Sequence, residues 1–179
     1  MVLMRAKPLP FELRPLASHD GDALLRALKQ VPHDNPTFFQ GLQSGMGLYD
    51  YLEWIAVRKS GTRLRAHEVP TTLLFAFFGS ELIGRYSLRH RLTPALEAYA
   101  GHVGYAVLPA YRRMGVASTM LRHAADRAAR ELGIAELIVT CDEDNHASQA
   151  VIEKCGGRFI GTYSGPWSAR TKKRYRLSD

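Results

Sequence analysis

The segment from His102 to Ala125 constrains this chain more than any other, because it passes from strand chemistry to helix chemistry across one short basic turn. Val103–Leu108 is β-branched, aromatic and apolar and stops at Pro109, the pattern of a buried strand. Beyond the turn, Val116, Met120, Ala124 and Ala128 recur at helical spacing with Ala117, Leu121, Ala125 and Leu132 beside them, and Gly133 follows as a C-cap. The joint is Arg112-Arg113-Met114-Gly115. A helix start carries unpaired N–H groups and the positive end of the helix dipole, glycine lets a ligand approach the backbone, and two arginines add charge. Two readings fit the joint equally: a turn that binds an anion such as a phosphate, and an ordinary βα loop.

Arg112-Arg113-Met114-Gly115-Val116-Ala117 resembles the Gln/Arg-x-x-Gly-x-Gly/Ala signature of the GNAT superfamily of N-acetyltransferases, whose turn holds the pyrophosphate of acetyl-CoA. The order downstream is similar too: the apolar strand Leu137–Cys141, then Asp142-Glu143-Asp144-Asn145-His146-Ala147-Ser148, then Glu153-Lys154-Cys155-Gly156-Gly157. It resembles a second signature in which an Asn opens a short helix that closes with Glu-Lys-x-Gly. The resemblance is good from Leu82 to about Tyr163 and looser elsewhere.

The rest of the chain is consistent with one domain over residues 1–179, a length that can bury one sizeable core. Phe11–Leu16 alternates like a strand, and Ser18 or Asp20 can cap a helix through Ala23–Leu28. Residues 37–59 are aromatic-rich with helical stretches; core packing is the simpler role for Phe38, Phe39, Tyr49, Tyr51 and Trp54, and lining a substrate site the other. Thr71–Phe78 and Glu81–Arg89 read as strands joined by a two-residue turn. A helical turn at Pro94–Tyr99 leads into the central strand, and Arg158–Ser164 and Lys173–Leu177 close the chain as two strands. With the resemblance, this order implies an α/β fold: a GNAT-like mixed, mostly antiparallel central sheet with helices on both faces and a splayed central strand pair.

Charge and cysteine usage narrow the function. A formal net charge of +7 admits anionic partners, nucleic acid among them. The basic residues are dispersed, however, and the dense group Arg170, Lys172, Lys173, Arg174 and Arg176 alternates with Tyr175 and Leu177 as in an edge strand with one solvated face, which disfavours nucleic acid. Cys141 and Cys155 read as small buried hydrophobes in a reduced setting. Met1–Pro10 lacks the apolar core of a signal peptide and no apolar run is long enough to span a bilayer, so a soluble, cytoplasmic protein with no membrane contact is expected. No Gly-x-Ser-x-Gly elbow, P-loop or metal-ligand cluster occurs, and no metal is expected.

What the resemblance implies for the site is specific. Acetyl-CoA is the cosubstrate and an amine the acceptor, with a homodimer left open. Arg112, Arg113, Met114, Gly115, Val116 and Ala117 hold the pyrophosphate, Tyr105, Ala106 and Val107 meet the pantetheine arm along the strand edge, and Asn145 and Ser148 face the cofactor. Relatives carry a Glu as general base in a Glu-Ile-Gly-Tyr run, and here His102 stands in that place; Asp142 and Glu143 are the alternatives, and a hydrogen-bonded histidine at a strand entrance is the other reading of His102. Many relatives protonate the departing thiolate with a Tyr seven residues after the Asn, where this chain has Ile152. A non-catalytic acyl-CoA-binding module and a basic nucleic-acid-binding domain are the alternatives to an enzyme.

Overall fold

The computed structural model describes residues 9–32, 35 and 38–178. The N-terminal stretch read above for a targeting signal lies largely outside them. The chain forms β1 (Glu12–Arg14), α1 (Gly21–Leu28), α2 (Leu48–Ser60), β2 (Thr71–Phe78), β3 (Glu81–Arg89), α3 (Pro94–Tyr99), β4 (Val103–Val107), α4 (Val116–Leu132), β5 (Glu136–Asp142), α5 (His146–Lys154), β6 (Arg158–Gly165) and β7 (Ser168–Ser178). One seven-stranded sheet runs in the order β1-β2-β3-β4-β5-β7-β6. Its neighbours are antiparallel except β4 and β5, which are parallel because α4 carries the chain across between them.

The sheet is covered on both faces. Apolar residues of α4 and α5, Val116, Met120, Leu121, Ala124, Ala128 and Ile152, pack on Tyr86, Leu88, Val103, Val139 and Tyr175. On the opposite face Ala23, Leu24 and Ala27 of α1 and Tyr51 of α2 pack with Phe38 and Phe39 on Phe75, Phe77, Ala106 and Leu108. Core packing is thus where most of the aromatics of 37–59 go, although Tyr49 is exposed. Buried Arg85 of β3 ties the α1–α2 connection to the sheet by donating to the Phe38 carbonyl, and burial pulls its pKa down to about 10.

The expected edge strand is not at the edge. β7 lies between β5 and β6, pairing Glu136–Asp142 with Ser178–Lys172, and β6 forms the rim. The basic run is neutralised by its new neighbours: Arg176 meets Glu136 at 2.9 Å, Arg174 meets Glu97 of α3 at 3.6 Å, and Lys172 and Arg170 converge on Asp142. Alternation in one strand reports which side chains are solvated and says nothing about which strands flank it. Among the described residues no helix is long and apolar enough to cross a membrane.

Candidate active site

The centre of the sheet is open by construction. β4 keeps five paired positions with β3, from Leu88↔Val103 to Gly84↔Val107, but it pairs with β5 only at Val103↔Val139. Beyond that point the two parallel strands part, and the edge of β4 at Tyr105, Ala106 and Val107 has no strand partner on the β5 side. The Val107 carbonyl is partly used: Arg112 folds back so that its Nε donates to it at 3.2 Å. Arg112 was expected to aim at an anion, and this hydrogen bond turns part of its guanidinium toward the strand instead.

The basic turn leads from that edge into α4. Arg113 has φ 64° and Gly115 φ 82°, so left-handed residues stand at alternate positions just before the first helical turn. A left-handed non-glycine residue is uncommon, and Arg113 is exposed, so the strain serves the path of the backbone and not the packing of its side chain. Exposed Met114 lies between them, and its carbonyl accepts from Leu9 N–H at 3.3 Å. Val116 and Ala117 open α4, where first-turn N–H groups have no partner within the helix. Successive amides in a turn of this kind, at the positive end of a 17-residue helix, favour negative charge.

Across the gap stands the start of α5. The Asn145 side chain accepts from Ser148 N–H at 3.0 Å and caps the helix. The Ser148 hydroxyl meets the Tyr105 hydroxyl at 2.8 Å, joining β4 to α5 over the gap. Burial raises the Tyr105 pKa, with the Ser148 hydrogen bond opposing, so the phenol stays protonated. Cys141, buried beside Ser148, is likewise pushed up by burial. Ser148 and Ile152 are one turn apart on the same face of α5, so a hydroxyl pair stands one turn before the place where relatives carry a Tyr. The sequence pointed to the Tyr105 backbone and not to its phenol, because its partner lies 43 residues away on another element.

The three residues expected to compete as general base are in different surroundings. His102 lies just before β4, and its Nδ1 accepts from Ile138 N–H at 2.9 Å; the lone pair that a base would use is engaged by the backbone. Asp142, at the end of β5, is bound by Lys172 and by Arg170 at 3.1 Å; burial would raise its pKa, but these two cations outweigh it and hold the carboxyl below its ordinary value, which makes it a weak base. Glu143 is exposed at the mouth of a cleft of about 450 Å³ lined also by Asp144, His146, Arg170 and Thr171. Asp142 and Glu143 thus have Arg170 as a common neighbour, whereas His102 is held by the backbone of β5.

The sequence matches the acetyltransferase (GNAT) domain over residues 11–158. No curated protein matches it. Among solved structures, the ribosomal L7/L12 alpha-N-protein acetyltransferase RimL in complex with coenzyme A superposes with a TM-score of 0.64 at 18% identity, covering 96% of this chain and 98% of that one. The ribosomal-protein-S5-alanine acetyltransferase from Vibrio fischeri gives 0.68 at 14% identity over 94% and 92%. The protein yncA from Salmonella typhimurium, with acetyl-CoA as its cofactor, gives 0.60 at 15% identity over 94% and 93%. At these identities the likeness is one of fold, but the domain match extends from β1 to the start of β6 and includes the splayed strands, the basic turn and the capped helix. The chain belongs to the GNAT acetyltransferase family and is an acyltransferase enzyme.

Proposed function

We propose that this acyltransferase moves an acetyl group from acetyl-CoA to an amine by direct attack in a ternary complex, and that the preferred acceptor is an amine of low pKa such as a peptide α-amine. The observation that carries the reading is the unpaired edge of β4 running into the left-handed turn at Arg113–Gly115 and the start of α4. Acetyl-CoA supplies an acyl group already activated as a thioester. The amides of Arg113–Ala117 take its pyrophosphate, the edge at Tyr105–Val107 takes the pantetheine arm in strand-like fashion, and Asn145 and Ser148 face it across the gap. Tyr105, through Ser148, replaces the absent Tyr as proton donor to the departing sulfur.

The choice of acceptor follows from proton bookkeeping. An ammonium has no lone pair, so the attacking nitrogen must first lose a proton. Neither His102 nor Asp142 offers a strong base, for the reasons given above, which leaves exposed Glu143 and solvent. At pH 8 an α-amine, with a pKa of about 7.7–8.0, is roughly half neutral, whereas a lysine amine, with a pKa of about 10.4, is neutral in only about 0.4% of molecules. Two structural relatives that are themselves protein acetyltransferases support the same acceptor class.

The test combines binding with turnover. Acetyl-CoA should bind the parent in calorimetry and Gly115→Glu should abolish binding, because a carboxylate side chain is placed at the mouth of the anion site on a left-handed residue. Thiol release with unblocked peptides should exceed release with N-terminally blocked, lysine-containing peptides by at least tenfold at pH 8. Equal acetyl-CoA affinity in a folded Gly115→Glu protein would overturn the placement, and a preference for the lysine amine would overturn the acceptor class.

A further inference from the structure

We infer that His102 is a positioning residue, whose neutral imidazole fastens the point from which β4 and β5 diverge and so sets the gap between them. Both backbone polar groups of Ile138 are taken by this one residue. His102 N–H donates to the Ile138 carbonyl at 2.7 Å, and Ile138 N–H donates to His102 Nδ1 at 2.9 Å. An imidazole thus occupies the place of a backbone rung at the last closed position before the strands part at Val103↔Val139.

The surroundings hold the fastening in place. Arg89 N–H donates to the His102 carbonyl at 2.8 Å, and Arg89 Nη1 to the Gly101 carbonyl at 3.0 Å. Thr140 Oγ1 donates to the Tyr99 carbonyl at 3.0 Å, tying the end of α3 to β5. Gly101 adopts φ 64°, and a Cβ there would fall 2.4 Å from the Ile138 carbonyl oxygen, so only glycine lets the chain come this close to β5. Ile138 is itself buried, and without the ring its N–H loses this partner.

The chemistry of the ring makes this role exclusive of base catalysis at Nδ1. That nitrogen accepts a hydrogen bond only while unprotonated, which puts the ring proton of the neutral form on Nε2. Protonation would set two N–H groups against each other and release β5. The charged groups facing the ring are Arg89 from β3 and Glu97 from α3, the latter paired with Arg174 of β7. Burial keeps the folded pKa below its ordinary value and outweighs the contact with the Ile138 backbone, which opposes it; Arg89 acts with burial and Glu97 against it. The fastening is therefore complete above the unfolded pKa of about 6.5 and is lost as pH falls through the lower folded value.

The consequence for cosubstrate affinity rests on the proposed function, but the tautomer does not, and the test separates them. Long-range 1H–15N spectra of the ligand-free protein at pH 7.5 should show His102 with an unprotonated, hydrogen-bonded Nδ1 and a protonated Nε2; the opposite tautomer would overturn the proposal, whether or not the protein binds acetyl-CoA. His102→Asn keeps an acceptor near the Nδ1 position and offers no base, whereas His102→Ala offers neither. His102→Ala should weaken acetyl-CoA binding about tenfold, the equivalent of one lost hydrogen bond, and His102→Asn should recover affinity and most of kcat. A His102→Asn enzyme with parental acetyl-CoA affinity and kcat reduced 100-fold would identify His102 as the base and refute the inference. If His102→Ala does not fold, the parent spectra and His102→Asn still decide.

Discussion

Tyr105→Phe separates chemistry from architecture, because it removes one oxygen atom and leaves the ring, the strand and its backbone edge in place. The lost contacts are one short hydrogen bond, Tyr105 Oη to Ser148 Oγ at 2.8 Å, and a longer donation to the Ser148 carbonyl at 3.4 Å. Such a bond is worth about 0.5–1.5 kcal/mol, and Ser148 is only partly buried, so its hydroxyl can turn to water and the cost belongs at the lower end. For a chain of this length each kcal/mol moves the Tm by about 2–4 °C, giving a shift of a few degrees at most. The effect on turnover should be larger by contrast. A positioned proton donor contributes roughly 10²–10⁴-fold, equivalent to about 2.7–5.4 kcal/mol of barrier. Thiol release under saturating acetyl-CoA, calorimetric affinity and thermal melting together make the comparison. The expected result is a 100-fold or greater fall in kcat with affinity within about threefold of the parent, and Ser148→Ala added to Tyr105→Phe should cost little more, because a relay fails as a unit. A Tyr105→Phe enzyme with kcat within twofold of the parent would refute the assignment.

Two further outcomes test the frame around the site. Ile152→Ala opens a cavity in the α4–α5 layer, where Ile152 has no exposed surface, and should cost about 2–5 kcal/mol of stability, measured by denaturant unfolding. Turnover per folded molecule should be unchanged, since this residue supplies no proton. Asp142→Asn removes the carboxylate that Lys172 and Arg170 share. Because that carboxyl has a lowered folded pKa, its contribution is present above the unfolded value of about 3.9 and is lost as pH falls through the folded value, so the variant should be less stable at pH 7 and lose less stability than the parent below pH 4.

Local periodicity carried most of the elements. The expected helix from Val116 to its cap at Gly133 is observed as Val116–Leu132, and the hairpin Thr71–Phe78 with Glu81–Arg89 is unchanged. Both rest on contacts between near neighbours in sequence, which spacing records directly. The first strand was expected over Phe11–Leu16 and is only Glu12–Arg14, and the last was expected over Lys173–Leu177 and extends to Ser168–Ser178, since strand ends depend on what the neighbouring strand offers. The place of β7 inside the sheet was hidden for the same reason: its alternation is satisfied equally at the rim or between two strands.

Within the site, the turn at Arg112–Ala117 was legible in sequence because it is one contiguous segment whose strand end and helix start follow from local chemistry. The sequence also marked His102, Asp142 and Glu143 as the titratable groups around the central strands. What each of them does was decided only by tertiary structure. The Ile138 N–H that engages His102 comes from 36 residues away, the cations that depress Asp142 come from β7, and the serine that meets Tyr105 stands on a separate helix. A side chain's residue type fixes which protons and lone pairs it owns; whether they are available to a substrate depends on partners that only folding brings within 3 Å.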